Sequence, residues 1–63
     1  MQENQILSAE EIRAELGRRR ISRKHLSAET GIYYPYLIEI LLGQRDARDM
    51  RKRITDYLGR EAS

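Results

Sequence analysis

Apolar residues recur at helical spacing four times along the chain, and no run alternates in the manner of a strand. Ile12 and Leu16, four apart, give a first helix its buried stripe. Leu26 leads a second helical stretch that small residues carry to Gly31. Leu37, Ile40 and Leu41 show i, i+3, i+4 spacing in a third, and Met50, Ile54, Tyr57 and Leu58 keep the same period in a fourth. The pattern predicts an all-α domain of four short helices around one core.

The residues between the stripes punctuate them. Ser8-x-x-Glu11 is spaced as a capping box, with Leu7 and Ile12 placed as a hydrophobic staple around it. Ser22 is the expected cap of the second helix, flanked by Ile21 and Leu26 as the staple, and Gly31 is suited to its left-handed end. Ile32 follows as the apolar residue that folds back. Proline in a first turn sacrifices no intrahelical bond, so Tyr33-Tyr34-Pro35-Tyr36 reads as a third helix start, running to Leu42 and closed by Gly43. Asp46 is the expected cap of the fourth helix, with Asp49 in its favourable first turn and Gly59 at its end.

Sixty-three residues make a single domain with a core near the lower limit for unaided folding. The pattern divides them into a flexible arm over 1–7, a helical domain over 8–59 and a tail over 60–63. Without cysteine there is no disulfide framework, and a lone histidine supplies no ordinary zinc site, so no metal or cofactor is expected. His25 is read as a surface residue without a chemical role. No nucleophile–base pair, carboxylate dyad or glycine-rich phosphate loop can be assembled, which argues against an enzyme. Neither a secretory leader nor a bilayer-length apolar run is visible, so the expected location is cytoplasmic.

Net charge is +2, but its distribution is uneven. Residues 1–16 carry four acids and one base, residues 17–24 (GRRRISRK) five bases and no acid, and residues 44–63 six bases against four acids. Basic clusters suit a polyanion, since each neutralised phosphate releases counterions. They also occur as merely solvated faces. The fold has to decide between the two.

Between the second and third helices only Gly31-Ile32-Tyr33 intervene, and a short glycine-containing turn with apolar residues at fixed offsets marks a helix-turn-helix. Those offsets are Leu26, the small Ser27, Gly31, Ile32, Leu37 and Ile40. In the text ISRKHLSAETGIYYPYLIEILLGQR, with a unit over about 22–43, the chain resembles the Cro and phage-repressor (lambda-repressor-like) helix-turn-helix family. Helices one and four extend the likeness over roughly residues 8–59. The resemblance implies a sequence-specific, double-stranded-DNA-binding transcriptional regulator, usually a homodimer, whose third helix enters the major groove.

Carried over by position, Tyr34, Pro35, Ile38 and Glu39 become the base-proximal residues. Ser22, Arg23, Lys24, Tyr36, Gln44 and Arg45 become the phosphate-proximal ones. Three features depart from the family pattern. Tyr33, Tyr34 and Pro35 replace the usual polar cap and reader, Arg20 stands where Gly or Asn is common, and no fifth, dimerising helix follows Gly59. The outward face of helix three also lacks the Arg, Asn or Gln that make the strongest base contacts. It offers Ile38 to a thymine methyl and Glu39 to a cytosine amine. Tyr34 is expected to be exposed, whereas Tyr33 and Tyr36 could equally pack at the core edge. Ile38 and Leu42, outward on adjacent turns, form an apolar patch that faces either DNA or a protein, such as a second copy in a homodimer. A protein-interaction module on the same fold is therefore the alternative reading.

Overall fold

The computed structural model describes residues 5–61, which contain four helices and no strand: α1 (Ala9–Arg19), α2 (Arg23–Thr30), α3 (Tyr34–Leu41) and α4 (Arg48–Glu61). The all-α, four-helix expectation holds. Helix α2 packs on α3, α1 lies against both α3 and α4, and α4 also meets α2.

Local chemistry accounts for most boundaries. Ser8 Oγ accepts the Glu11 N–H at 3.1 Å while Glu11 Oε1 accepts the Ser8 N–H at 2.8 Å, completing the capping box. Ser22 Oγ accepts the His25 N–H at 3.0 Å, and Gly31 ends α2 with φ 76°. Tyr33 supplies no side-chain cap to α3, so Pro35 in the first turn carries its start. At the other end, the Gly43 N–H donates to the Ile40 carbonyl at 3.1 Å and the Gln44 N–H to that of Glu39 at 2.9 Å. With Gly43 at φ 80°, this is a Schellman closure. Helix α1 closes in the same way on Arg20, which is left-handed at φ 58°, ψ 42°. An L side chain in that region costs about 1–2 kcal/mol relative to glycine.

Three expectations need correction. Asp46 does not cap α4. The helix begins two positions later, and the Asp46 carboxylate and carbonyl instead each accept a bond from Arg51 at 3.0 Å. Gly59 does not end α4, which continues to Glu61. Its φ is not positive, and the buried Leu58 before it holds that turn against the core. Leu7 does not belong to a flexible arm: its N–H donates to Thr55 Oγ1 and its carbonyl accepts from Arg51 Nη1, both at 3.0 Å. The remainder of the expected arm at residues 1–4, and of the tail at 62–63, lies outside the described residues.

The core collects every stripe. Ile12 and Leu16, Leu26, the α3 trio and Ile54, Tyr57 and Leu58 are all buried, Ile32 folds back among them, and Met50 packs at the edge. Spacing alone does not reveal how the helix ends are closed. Arg13 donates to the Leu41 carbonyl at the end of α3, Arg19 to that of Leu58 near the end of α4 at 2.7 Å, and Arg53 to that of Thr30 at the end of α2 at 3.4 Å. Carbonyls in a last turn have no intrahelical donor, and a cation suits the negative end of the helix dipole. Three helices thus end on a guanidinium supplied by another helix, and the 3.4 Å contact is the weakest. Ser27 adds a tie within the α2–α3 turn, its hydroxyl donating to the Ile32 carbonyl. Its small size lets the two helices approach, and its hydroxyl holds the turn between them.

Candidate nucleic-acid interface

Burying Leu37, Ile40 and Leu41 turns the opposite side of α3 outward. Tyr33 is 76% exposed, Tyr34 37% and Leu42 59%. That settles Tyr33 as a surface residue and agrees with the expectation for Tyr34. Pro35 and Gln44 are exposed as well, whereas Ile38 and Glu39 are half-buried. Tyr36 packs against the core edge, and its outer ring face is covered by the Arg45 guanidinium, 5.0 Å from the ring centroid.

Arg45 also donates through Nε to Glu39 Oε1. The three residues form one cluster spanning the second half of α3 and the loop after Gly43. Glu39 raises the Arg45 guanidinium above its already high ordinary value, first through the hydrogen bond and then through its charge. Arg45 therefore stays cationic throughout the ordinary pH range. As an exposed pair, the contact adds little to the stability of the fold. Its effect is orientational: Arg45 is held on Tyr36, and Glu39 is held by Arg45.

The start of α2 differs. Ser22, Arg23, Lys24 and His25 are all exposed, and the first turn contains no acid. Among the described residues, the side chains of Arg20, Arg23 and Lys24 make no hydrogen bond or ion pair. Their neighbours Arg18 and Arg19 are committed to Glu15, whose carboxyl lies below its ordinary value of 4.5, chiefly through the hydrogen bond from Arg18. Of the five bases in GRRRISRK, three are left open to a partner.

Six of the ten anticipated site residues therefore fall into two groups. Tyr36, Glu39 and Arg45 are joined to one another, while Ser22, Arg23 and Lys24 gather at the α2 start with no side-chain bond to α3 among the described residues. Sequence reasoning missed the Glu39–Arg45 pair, because six residues across a glycine closure match no simple helical spacing. The Glu15 pairs, at i+3 and i+4, were open to that reasoning. A shallow cleft lies beside the Gly43–Asp46 loop, lined by Ser8, Ala9, Gly43, Arg45, Asp46 and Arg51. Arg51 on its wall is already bonded to Asp46 and Leu7. Among the described residues, no helix is long and apolar enough to cross a membrane, and no group of three His, Cys, Asp or Glu side chains is placed to hold a metal ion. No known protein family, curated protein or solved structure matched the chain.

Proposed function

We propose that the chain is a small sequence-specific DNA-binding regulator of transcription, of the Cro and phage-repressor helix-turn-helix kind, with α3 as the element that enters the major groove. One observation carries this reading. Helices α2 and α3 are packed across a three-residue turn, and the side of α3 facing away from the core is exposed at Tyr34 and Pro35 and half-buried at Ile38 and Glu39. A helix braced by a partner helix across a short turn, with its N-terminal end exposed, suits the groove. Tyr34 and Pro35 stand at that end, with Ile38 and Glu39 one turn further along. Arg23 and Lys24, unpaired among the described residues at the α2 start, are well placed to meet phosphate, and Ser22 and Gln44 lie exposed for the same backbone.

The test is a salt titration with random-sequence duplex DNA. Contact with two or three phosphates gives an affinity falling with salt at a slope of about −2 to −3 on logarithmic axes. Absence of any salt-dependent binding overturns the proposal.

A second reading has its own support. Leu42 is 59% exposed beside the half-buried Ile38, an apolar pair that a protein surface, including a second copy of the chain, would cover. NMR shifts mapped on residues 33–42 separate the two readings. Shifts caused by duplex DNA favour the regulator, and shifts caused only by raising the protein concentration favour the interface.

A further inference from the structure

We infer that Arg45 is not a phosphate contact but a positioning residue, which holds Glu39 as the acceptor for one exocyclic base amine, the N4 amine of cytosine. The inference rests on the DNA-binding reading above. Taken one at a time, the residues suggest something else: Arg45 after α3 would meet phosphate, and Glu39 on a groove-facing helix would repel it. Their geometry reverses both roles. Arg45 is bonded through Nε to Glu39 Oε1 while its guanidinium lies over the Tyr36 ring. An arginine held by a carboxylate on one side and an aromatic face on the other is poorly free to follow the DNA backbone.

Glu39 meanwhile loses its repulsion, because its charge is balanced within the protein before DNA arrives. Oε1 is occupied by Arg45, and Oε2 has no partner among the described residues. A carboxylate with one oxygen tied and one free is an oriented acceptor. It accepts from the cytosine amine in the major groove and meets only acceptor atoms on guanine. The apolar Ile38 beside it offers no competing hydrogen bond. The outward side of α3 otherwise lacks Arg, Asn and Gln, so this oxygen is its principal means of telling one base pair from another.

The arrangement makes an unusual prediction about charge. Glu39→Gln removes an acid, but it also releases Arg45. The variant should bind random duplex several-fold more tightly, with a salt slope steeper by about one unit, because the freed guanidinium now meets a phosphate. Glu39→Gln combined with Arg45→Ala should return the slope to that of the wild type.

The experiment selects preferred duplexes from a randomised pool with the wild-type chain, then measures each variant on the selected and the random duplexes. Wild type is expected to prefer cytosine at one position by about tenfold. Arg45→Ala and Glu39→Gln should both lose that preference, and the double variant should be no less discriminating than either single. Arg45→Ala should leave the wild-type salt slope on random duplex unchanged. Neither side chain is buried, so circular dichroism and melting should confirm that each variant folds. If Arg45→Ala lowers affinity equally on selected and random duplexes and flattens the salt slope, Arg45 is a phosphate contact and the inference fails while the DNA reading stands. A preference for adenine at that position overturns the choice of base. If the wild-type chain binds no duplex, both fail together.

Discussion

Two stretches of this chain are rich in arginine and look alike as text, yet the fold treats them differently. In residues 44–63 four of the six bases are committed, Arg45 to Glu39, Arg51 to Leu7 and Asp46, Lys52 to Asp56, and Arg53 to the end of α2, while Arg48 and Arg60 make no such bond among the described residues. In residues 17–24, Arg18 and Arg19 share Glu15, but Arg20, Arg23 and Lys24 are left unpaired among the described residues. The difference is between charge that a sequence contains and charge that a partner can use. Arginine carries five donors in a rigid fork, so an orphan carbonyl or a nearby carboxylate readily claims it. Only where neither lies within reach does the cation remain available.

The contrast can be broken in order of expected effect. Both stretches hang on one core, and Leu37, fully buried, is central to it. Leu37→Ala should cost about 2–5 kcal/mol, most of what so small a domain has to spare. A melting temperature lowered by only a degree or two would show that α3 is not packed as described.

Arg51→Ala should be next, costing about 2 kcal/mol. It removes the donor to the Leu7 carbonyl and leaves the Thr55 bond alone to hold the segment before α1 to α4. Arg23→Ala should cost almost nothing in stability, yet lower affinity on all duplexes alike and reduce the salt slope by about one unit. If the two variants exchange behaviours, with Arg51→Ala harming binding alone and Arg23→Ala harming stability, the division into committed and available charge is wrong.

Arg20 gives a finer test, because its backbone is left-handed. Arg20→Gly should relieve about 1 kcal/mol of strain, offset in part by glycine's larger unfolded-state entropy. The net result is a melting temperature raised by a few degrees. An unchanged or lowered melting temperature would mean that the arginine side chain stabilises the end of α1 by as much as its backbone costs.

The smallest effect concerns pH. Because the Glu15 carboxyl is lowered from 4.5 in the folded chain, mainly by Arg18, its pairing adds stability above that value and loses it as pH falls through the lowered one. Replacing Glu15 with Gln should make the decline in melting temperature from about pH 5 to about pH 3 shallower. A decline of unchanged steepness would assign the acid sensitivity to other carboxylates.

How much of this was legible beforehand depended on sequence distance. The capping box at Ser8 and Glu11, the Ser22 cap and the Gly31 and Gly43 closures were read correctly, since each is settled within five or six residues. Asp46 was misread for the same reason. As a cap it fits locally, but Arg51 bonds its carboxylate and also reaches back 44 positions to the Leu7 carbonyl, and the helix starts later. Gly59 looked like a terminator and was overridden by the buried Leu58 next to it.

By itself the sequence determined the number of helices, their order and the face each one buries, because a period of 3.6 residues and short-range caps are properties of neighbouring side chains. Only the tertiary structure decided which charges remain free. Arg13, Arg19 and Arg53 find their carbonyls 28, 39 and 23 residues away, and no local spacing encodes such a partner. The same holds for the outward side of α3, where Glu39, Arg45 and Tyr36 acquire a common orientation only once the loop after Gly43 folds back on the helix. A carbonyl left over at a helix end attracts whichever cation packing brings beside it, so the surface charge available to a partner is what remains after the fold has satisfied its own helix ends.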